Sequence, residues 1–574
     1  MVRKDPSMVD VRVVMCYPDL YEVGMCHIGL HILYNIINAR ADAYCERSFY
    51  PQSDAVVLAK QAGAQLCALE SGDPLAVFDI VGITLQHELT YTTVLAMLRL
   101  GSVPLLACER GDGEPFVVGG GPCAFSPEPL APFFDAFVIG DGEEAVEDVV
   151  EVVKTHRPRG RQAVLNELAR LDGVYVPARH DPATDRIRKR LVADLDAAAY
   201  PSKAIVPWVE VVHDRAQVEI ARGCTRGCRF CQAGIIYRPV RERSPEKALE
   251  LARALIDSSG HDEVSLVSLN CPDYTLIEGL IDRLHEELGD QKVSVGLPSL
   301  RVDTFSVDLA KKVQQVRKSG LTFAPEAGSQ RLRDAMNKGV TAEDLLSTVQ
   351  AAFAAGWHKI KLYFMIGLPT ETDEDVLAIP QLVRSVAAVG RRTLGTRSPR
   401  MAINVSVSNL VPKPHTPLQW EGQAPADELL RRQGLIRHAI RDRQVTVSFH
   451  DVRQSVLEAA IARADRRMAD VILAAFEAGA VLDGSGPRLD CDLWNAAFEQ
   501  AGLSMADAAQ KQFDPEQPLP WDHIDTGVDR EFLLAERDRV GAGQATPDCR
   551  IGGCTGCGIT RLGECPLVAP EATA

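Results

Sequence analysis

Short apolar runs alternate with amphipathic stretches along most of this 574-residue chain. Between residues 11 and 150 the runs VRVVMC (11–16), FDIVGITL (78–85), PFVVGG (115–120) and AFVIG (136–140) are short and almost continuously apolar. Runs of that kind are buried parallel strands. Stretches with helical spacing, such as HIGLHILYNIINA (27–39), lie between them. Alternation of this sort predicts a doubly wound α/β sheet. Residues 160–210 hold only short β-like pieces and turns, as in GVYVPARHDPATDRIRKR.

The alternation resumes between 215 and 450. Strands are predicted at VEIA (218–221), VSLVSL (264–269), VSVGLP (293–298), GLTFAP (320–325), IKLYFMIG (360–367) and INVSVSNL (403–410). Helix starts are visible between them. Ser244-Pro245-Glu246 sets an N-cap before a first-turn proline, and Thr341-Ala-Glu-Asp344 is a capping box with Asp for Glu. Six strand–helix repeats predict a partial (β/α)6 barrel. The remainder is mostly helical, then proline-rich near 514–523, and ends in a cysteine cluster. The expected divisions are an α/β domain at 1–160, a connector at 161–210, the barrel at 211–450 and a helical region at 451–574.

Composition narrows the classes. The formal charge of −16 disfavours a sequence-independent nucleic-acid binder. No run approaches the ~18 apolar residues of a membrane span, and MVRKDPSMVDVRVV has no apolar signal core. No membrane association and a cytoplasmic location are therefore expected. There, clustered cysteines more often bind metal than form disulfides. Of fifteen cysteines, seven fall into two clusters.

The first cluster is ARGCTRGCRFCQAG (221–234), with Cys224-x3-Cys228-x2-Cys231. A structural zinc site is closed by four ligands. Three thiolates leave one corner open, and a [4Fe–4S] cluster held by three cysteines keeps one iron free for another ligand. The loop follows the strand VEIA, so it belongs at the carboxyl mouth of the barrel, where such folds keep their chemistry. A zinc knuckle with a remote fourth ligand is the plainer alternative.

The spacing, with Phe230 before the third cysteine, resembles the signature of radical S-adenosylmethionine (SAM) enzymes. The resemblance implies that SAM chelates the open iron and is cleaved to a 5′-deoxyadenosyl radical. It implies that Glu326, in GLTFAPEAGSQRLRD, contacts SAM, against the reading of an ordinary helix-start carboxylate. It implies that Gly367 and Pro369, in YFMIGLPTET, let the backbone approach the adenine, against a mere strand-to-helix turn. SLNCPDY (268–274) stands where the family binds the methionine end of SAM, but the usual glycine pair is missing. Arg301 either faces the mouth or pairs with Asp303.

The amino-terminal segments resemble the cobalamin-binding domain of that family. Gly119, Gly120 and Gly121, in GGGPCAFSPEP, would let a large ligand approach the strand ends. The acids of GDGEE suit a helix start. The cobalt-ligating Asp-x-His-x2-Gly motif is altered: GMCHIGLHIL keeps His27 but has Met25 for the Asp and Leu30 for the Gly. His27 is thus either a cobalt ligand or a helix-start histidine packed by the crevice.

The second cluster, PDCRIGGCTGCGITRLGECP (547–566), contains Cys549, Cys554, Cys557 and Cys565. Four thiols suit zinc or an auxiliary Fe–S cluster; free or disulfide-forming thiols are the alternative. In PWDHIDTGVDREFL (520–533), a substrate-contacting turn competes with a helix cap and staple. Taken together the chain resembles radical SAM proteins with an N-terminal B12-binding-like domain and a C-terminal CTGCG cluster, a group without an assigned substrate. This implies a reductant such as flavodoxin or ferredoxin, and modification of a carbon centre in RNA, protein or a small molecule, most simply by cobalamin-assisted methyl transfer. Sulfur insertion without cobalamin, as in methylthiotransferases, and a non-catalytic Fe–S or zinc scaffold are the alternatives. The basic stretches RIRKR (186–190) and RPVRER (238–243) would line an RNA path or form solvated faces.

Overall fold

The computed structural model describes residues 1–297, 301, 302, 312, 321–395, 401–563 and 565. The chain forms two compact units. The first comprises Met1–Asp214, Leu457–Ala509 and Glu516–Gly527. The second comprises Arg215–Val456, Gln510–Pro515 and Val528–Ala574. The stretch 451–574, expected as one helical region, is therefore shared between them. Its helices are present (Val452–Ala462, Met468–Glu477, Cys491–Gln500, Met505–Gln510 and Arg530–Ala542), but each segment is buried against the unit it packs on.

The first unit is built on a six-stranded sheet. Its strands are β1 (Val11–Tyr17), β2 (Ala43–Phe49), β3 (Ile80–Thr84), β4 (Phe116–Gly120), β5 (Ala136–Val138) and β6 (Val174–Tyr175). The order is β2-β1-β3-β4-β5-β6. β1 to β5 run parallel, and β6 is antiparallel to β5. Four strands coincide with the apolar runs in the sequence. β2 (AYCERSF) escapes that reading because it carries Glu46 and Arg47, yet all seven residues are buried. Arg47 is satisfied there by Glu70 at 2.8 Å, and Glu46 by Arg12 at 2.7 Å. The strand order reverses between β1 and β3, which opens a crevice at their carboxyl ends. A short strand β7 (Ile187–Arg188) in the connector pairs with Ile524–Asp525.

The second unit contains β8 (Ala216–Glu219), the two-residue pair β9 (Ala221–Arg222) and β10 (Arg241–Glu242), then β11 (Glu263–Val267), β12 (Ser294–Gly296), β13 (Leu321–Glu326), β14 (Lys359–Ile366), β15 (Ala402–Asn409) and β16 (Val445–Phe449). Parallel sheets β12-β11-β8 and β13-β14-β15-β16 result. All six expected strands appear, although the end of VSVGLP, Pro298, lies outside the described residues. β16 (VTVSF) is a seventh; only alternate residues are partly buried there, which is why it lacks a continuous apolar run. The architecture is α/β throughout, with parallel sheets and helical C-terminal segments.

Both predicted helix starts form. Ser244 accepts from the Lys247 N–H at 3.2 Å to cap Pro245–Ser259. Thr341 and Asp344 exchange both capping-box bonds at the head of Ala342–Ala354. No described helix is long and apolar enough to cross a membrane.

Candidate metal and cofactor site

The Cys224–Cys231 loop leaves β9 at the carboxyl end of the first strands of the second unit. Backbone contacts shape it. Gly223 sits at φ +94°, and a Cβ there would lie 2.6 Å from the Pro239 carbonyl oxygen; a side chain at this position is excluded both by torsion and by space. The Cys231 N–H donates to the Cys228 carbonyl at 3.1 Å. Asn337, itself at φ +54°, donates from Nδ2 to the carbonyls of Arg226 and Gly227, each at 3.2 Å. Burial raises the pKa of the Cys224 thiol, and burial beside Cys228 pushes that of Cys231 up to about 12. Without metal these thiols hold their protons, and metal binding would release them.

Three charged residues form a group beside Cys228, linked to it through Arg301 and Lys338. Glu326, at the end of β13 with φ +66°, accepts from Lys338 Nζ at 3.0 Å. Burial opposes the Lys338 charge, but Glu326 and then Cys228 outweigh it and raise its pKa. Arg301 points Nη1 at Cys228 Sγ, 3.8 Å away, and donates from Nη2 to the Lys338 carbonyl. Of the two placements the sequence left open for Arg301, the side facing the cysteines is formed; Asp303, the partner in the other, lies outside the described residues. Two cations thus lie by a thiol-rich loop, a setting that would accommodate the negative charge of a thiolate-bound cluster.

Gly367 and Pro369 follow β14. Gly367 has φ +82°, and a Cβ would meet Leu429 Cδ2 at 2.8 Å. Its N–H donates to Glu371 Oε2 at 2.7 Å, and Arg432 pairs with the same carboxylate. The glycine is therefore demanded by a packed turn, whatever else approaches it. The loop SLNCPDY follows β11, which is parallel to β8. It contains a residue the sequence gave no reason to single out. Asn270 is 5% exposed, and among the described residues neither its Oδ1 nor its Nδ2 has a hydrogen-bond partner. A buried amide left unsatisfied asks for a water or a ligand.

Among the described residues no three cysteine sulfurs lie within 4.8 Å of one another. Sulfurs on one zinc ion would stand about 3.8 Å apart, given Zn–S bonds of about 2.3 Å. A cubane carries each cysteine on a different iron and needs them farther apart. The loop thus offers three thiols that are not gathered around a single point, and the choice between a multi-iron cluster and zinc rests on the chemistry of the motif. In the C-terminal set, Cys549 is raised to about 11, first by burial and further by Asp548, Cys565 and Cys557, while Arg238 opposes. Cys554 is exposed and accepts from the Gly556 N–H at 3.4 Å.

In the first unit, His27 caps the helix Ile28–Ala39: Nδ1 accepts from the Leu30 N–H at 3.1 Å. That bond places the proton of the neutral ring on Nε2, the atom a cobalt ligand would need bare. The Gln86 side chain hydrogen-bonds the same ring, and burial, then His31, lower its pKa to about 4. His27 is a helix cap by the crevice, and ligating cobalt through Nε2 would require that proton to leave. A Cβ on Gly119 would meet Leu85 at 2.9 Å, and one on Gly121 (φ +112°) the Leu85 carbonyl at 2.6 Å. Gly120 alone faces room, with its nearest neighbour at 3.9 Å. The sheet itself requires two of the three glycines, and open ground remains at the third, at the carboxyl end of β4 between β3 and β5.

Other sequence expectations resolve differently. His523 is buried against Tyr175, with ring centroids 4.8 Å apart, and Trp521 is fully buried. PWDHID is therefore core of the first unit, while the rest of the stretch does begin a helix, Arg530–Ala542, with Asp529 as its N-cap residue. Arg238, Arg241 and Arg243 are buried and donate to the carbonyls of Gly234, Pro239 and Glu219. RPVRER is thus neither an RNA path nor a solvated face.

The chain matches the model of the Radical SAM superfamily over residues 218–383 and that of the N-terminal region of radical SAM proteins over residues 29–177. An uncharacterised protein of Methanocaldococcus jannaschii is 27% identical over 467 residues, covering 80% of this chain and 89% of its own. An uncharacterised methyltransferase of Pyrococcus horikoshii is 26% identical over 308 residues, 52% of this chain and 62% of its own. The solved radical SAM methyltransferase TsrM of Kitasatospora setae aligns at a TM-score of 0.49 and 14% identity, over 69% of this chain and 72% of its own. The chain thus carries a radical SAM domain at residues 218–383, preceded at 29–177 by the N-terminal domain found in radical SAM proteins.

Proposed function

We propose that this protein is a radical SAM enzyme that modifies an unactivated carbon centre, with methyl transfer as the reaction. The supporting observation is the Cys224–Cys228–Cys231 loop: three spaced thiols, with Arg301 directed at Cys228 and Lys338, paired with Glu326, close enough to feel its charge, inside the segment matched by the radical SAM model. The three cysteines hold a [4Fe–4S] cluster whose fourth iron takes SAM. When bound, the cluster supplies one electron that splits SAM into methionine and a 5′-deoxyadenosyl radical, which removes a hydrogen atom from the substrate carbon. Asn270 offers a donor and an acceptor to the polar end of SAM. Glu326, fixed by Lys338, borders the same mouth, and the Gly367–Pro369 turn presents backbone to the adenine. The methyl-transfer reading draws on the Pyrococcus relative, which is described as a methyltransferase.

In this reading cobalamin lies over the carboxyl ends of the first unit's strands, from the β1/β3 crevice to Gly120 on β4, without a histidine ligand from His27. The C-terminal thiols hold a second metal, an Fe–S cluster or zinc. Electrons come from a flavodoxin or ferredoxin, and the acceptor is an RNA, a protein or a small molecule. Anaerobic incubation of the reconstituted chain with SAM and dithionite should yield 5′-deoxyadenosine, and Cys→Ala at 224, 228 or 231 should abolish it. Cleavage that survives in all three variants would overturn the assignment. Cobalamin absorption near one per chain supports methyl transfer; its absence from a chain with an intact cluster removes the cobalamin step and favours sulfur insertion.

A further inference from the structure

The two cysteine sites, more than three hundred residues apart in the chain, are joined by one charged network within the second unit. Arg226 and Arg229 flank Cys228 in sequence, and both are gripped by residues just before Cys549. Arg226 Nε donates to Asp273 at 2.8 Å and lies 3.3 Å from Asp548 Oδ2. Arg550 closes the circuit, with Nη2 at 2.8 Å from both Asp273 and Asp548 and Nη1 bonded to the Asp273 carbonyl at 2.9 Å. Arg229 is fully buried and donates to the Gln544 carbonyl at 2.7 Å and to Thr546 Oγ1 at 3.2 Å. Asn337, which holds the Arg226 and Gly227 carbonyls, accepts from the Thr546 N–H at 2.8 Å. The backs of two loops are thereby tied at several points, and Cys549 stands between the two residues that make the ion pairs.

We propose that residues 544–550 are a positioning brace for the Cys224–Cys231 loop, and that Asp548 and Arg550 set the charge environment of the cluster held there. The proposal rests on the radical SAM reading above. Reduction adds an electron to the cluster, so a lost neighbouring carboxylate favours the reduced form and a lost cation disfavours it. Asp548→Asn removes a carboxylate and unmasks Arg226. Arg550→Gln removes a cation from the same circuit. A brace that acted only by holding shape would move both variants in one direction or in neither.

The experiment uses the full chain, reconstituted without oxygen, and follows the electron paramagnetic resonance signal that changes on adding SAM. That response belongs to the cluster with an open iron and separates it from any metal at the C-terminal thiols. Redox titration should show the reduction equilibrium of that signal shifted several-fold toward the reduced form in Asp548→Asn and several-fold toward the oxidised form in Arg550→Gln, with a tenfold change equal to 59 mV for one electron. Iron release to EDTA should be faster in both, because each loses a tie to the loop. Should Asp548→Asn fail to fold, the downward shift in Arg550→Gln carries the test alone. Shifts of one sign in both variants, or none beyond twofold, overturn the proposal. A wild-type chain without a SAM-responsive signal overturns the radical SAM reading instead.

Discussion

Glu536 offers a clean perturbation of the loop's support. Its carboxylate, 3% exposed, accepts from Arg229 Nε at 3.0 Å and from Thr546 Oγ1 at 2.7 Å, and pairs with Arg539. Glu536→Gln keeps the shape and an acceptor but removes the charge that balances a guanidinium with no access to water. Breaking one side of a buried pair costs about 3–5 kcal/mol, because the remaining charge stays desolvated. The carbonyls of Ala335 and Gln544 that also accept from Arg229 soften this, so the lower end of the range applies. At about 2 °C per kcal/mol for a unit of this size, thermal unfolding of the second unit should fall by roughly 6 °C. Differential scanning calorimetry on the metal-free chain measures it, with the transition of the first unit as internal reference. Combining Glu536→Gln with Arg229→Met should cost less than the sum of the single changes, since neither charge is then stranded. A shift under about 2 °C, with additive behaviour in the double variant, would show that water reaches Arg229 and would refute the argument.

Two further outcomes are expected. Asp135 bonds Arg110 at 2.8 Å and Arg161 at 2.6 Å, and all three are buried; Asp135→Asn strands two cations and should lower the first unit's transition by about 3–5 kcal/mol or more, read by calorimetry or by limited proteolysis. Burial holds the Glu371 carboxyl at about 7, above its ordinary value, although the Gly367 N–H and Arg432 oppose the shift. The folded chain therefore binds this proton more tightly than the unfolded one, and the resulting stabilisation is complete below about pH 4.5 and is lost as pH rises through about 7. A melting-temperature series from pH 4.5 to 8 should show this decline in the wild type and not in Glu371→Gln; parallel curves would assign the slope to other groups.

Much of the fold is legible as pattern because strands buried on both faces must be apolar and parallel connections need helices between them. The exceptions follow the same physics. β2 and β16 depart from the apolar pattern, one because buried ion pairs replace apolar packing, the other because one face stays open. The cysteine loop is local, so its spacing and its chemistry are both visible in the eight residues Cys224–Cys231. His27 was ambiguous because a capping histidine and a metal-binding one share a sequence, and only the Leu30 N–H contact distinguishes them. Within SLNCPDY nothing in sequence marks Asn270 itself, since what sets it apart is that its buried amide finds no partner among the described residues.

By itself, then, the order of residues determined the elements, their parallel arrangement and the presence of two thiol clusters, all of which depend on near neighbours in the chain. The tertiary structure alone decided that the arginines of RPVRER turn inward, that PWDHID is core, and that Asp548 and Arg550 meet the loop around Cys228. Those contacts join residues hundreds of positions apart. A charge is recognisable in sequence, but whether it faces water, a carbonyl or an opposite charge is settled only when distant segments are buried together and each must find a partner.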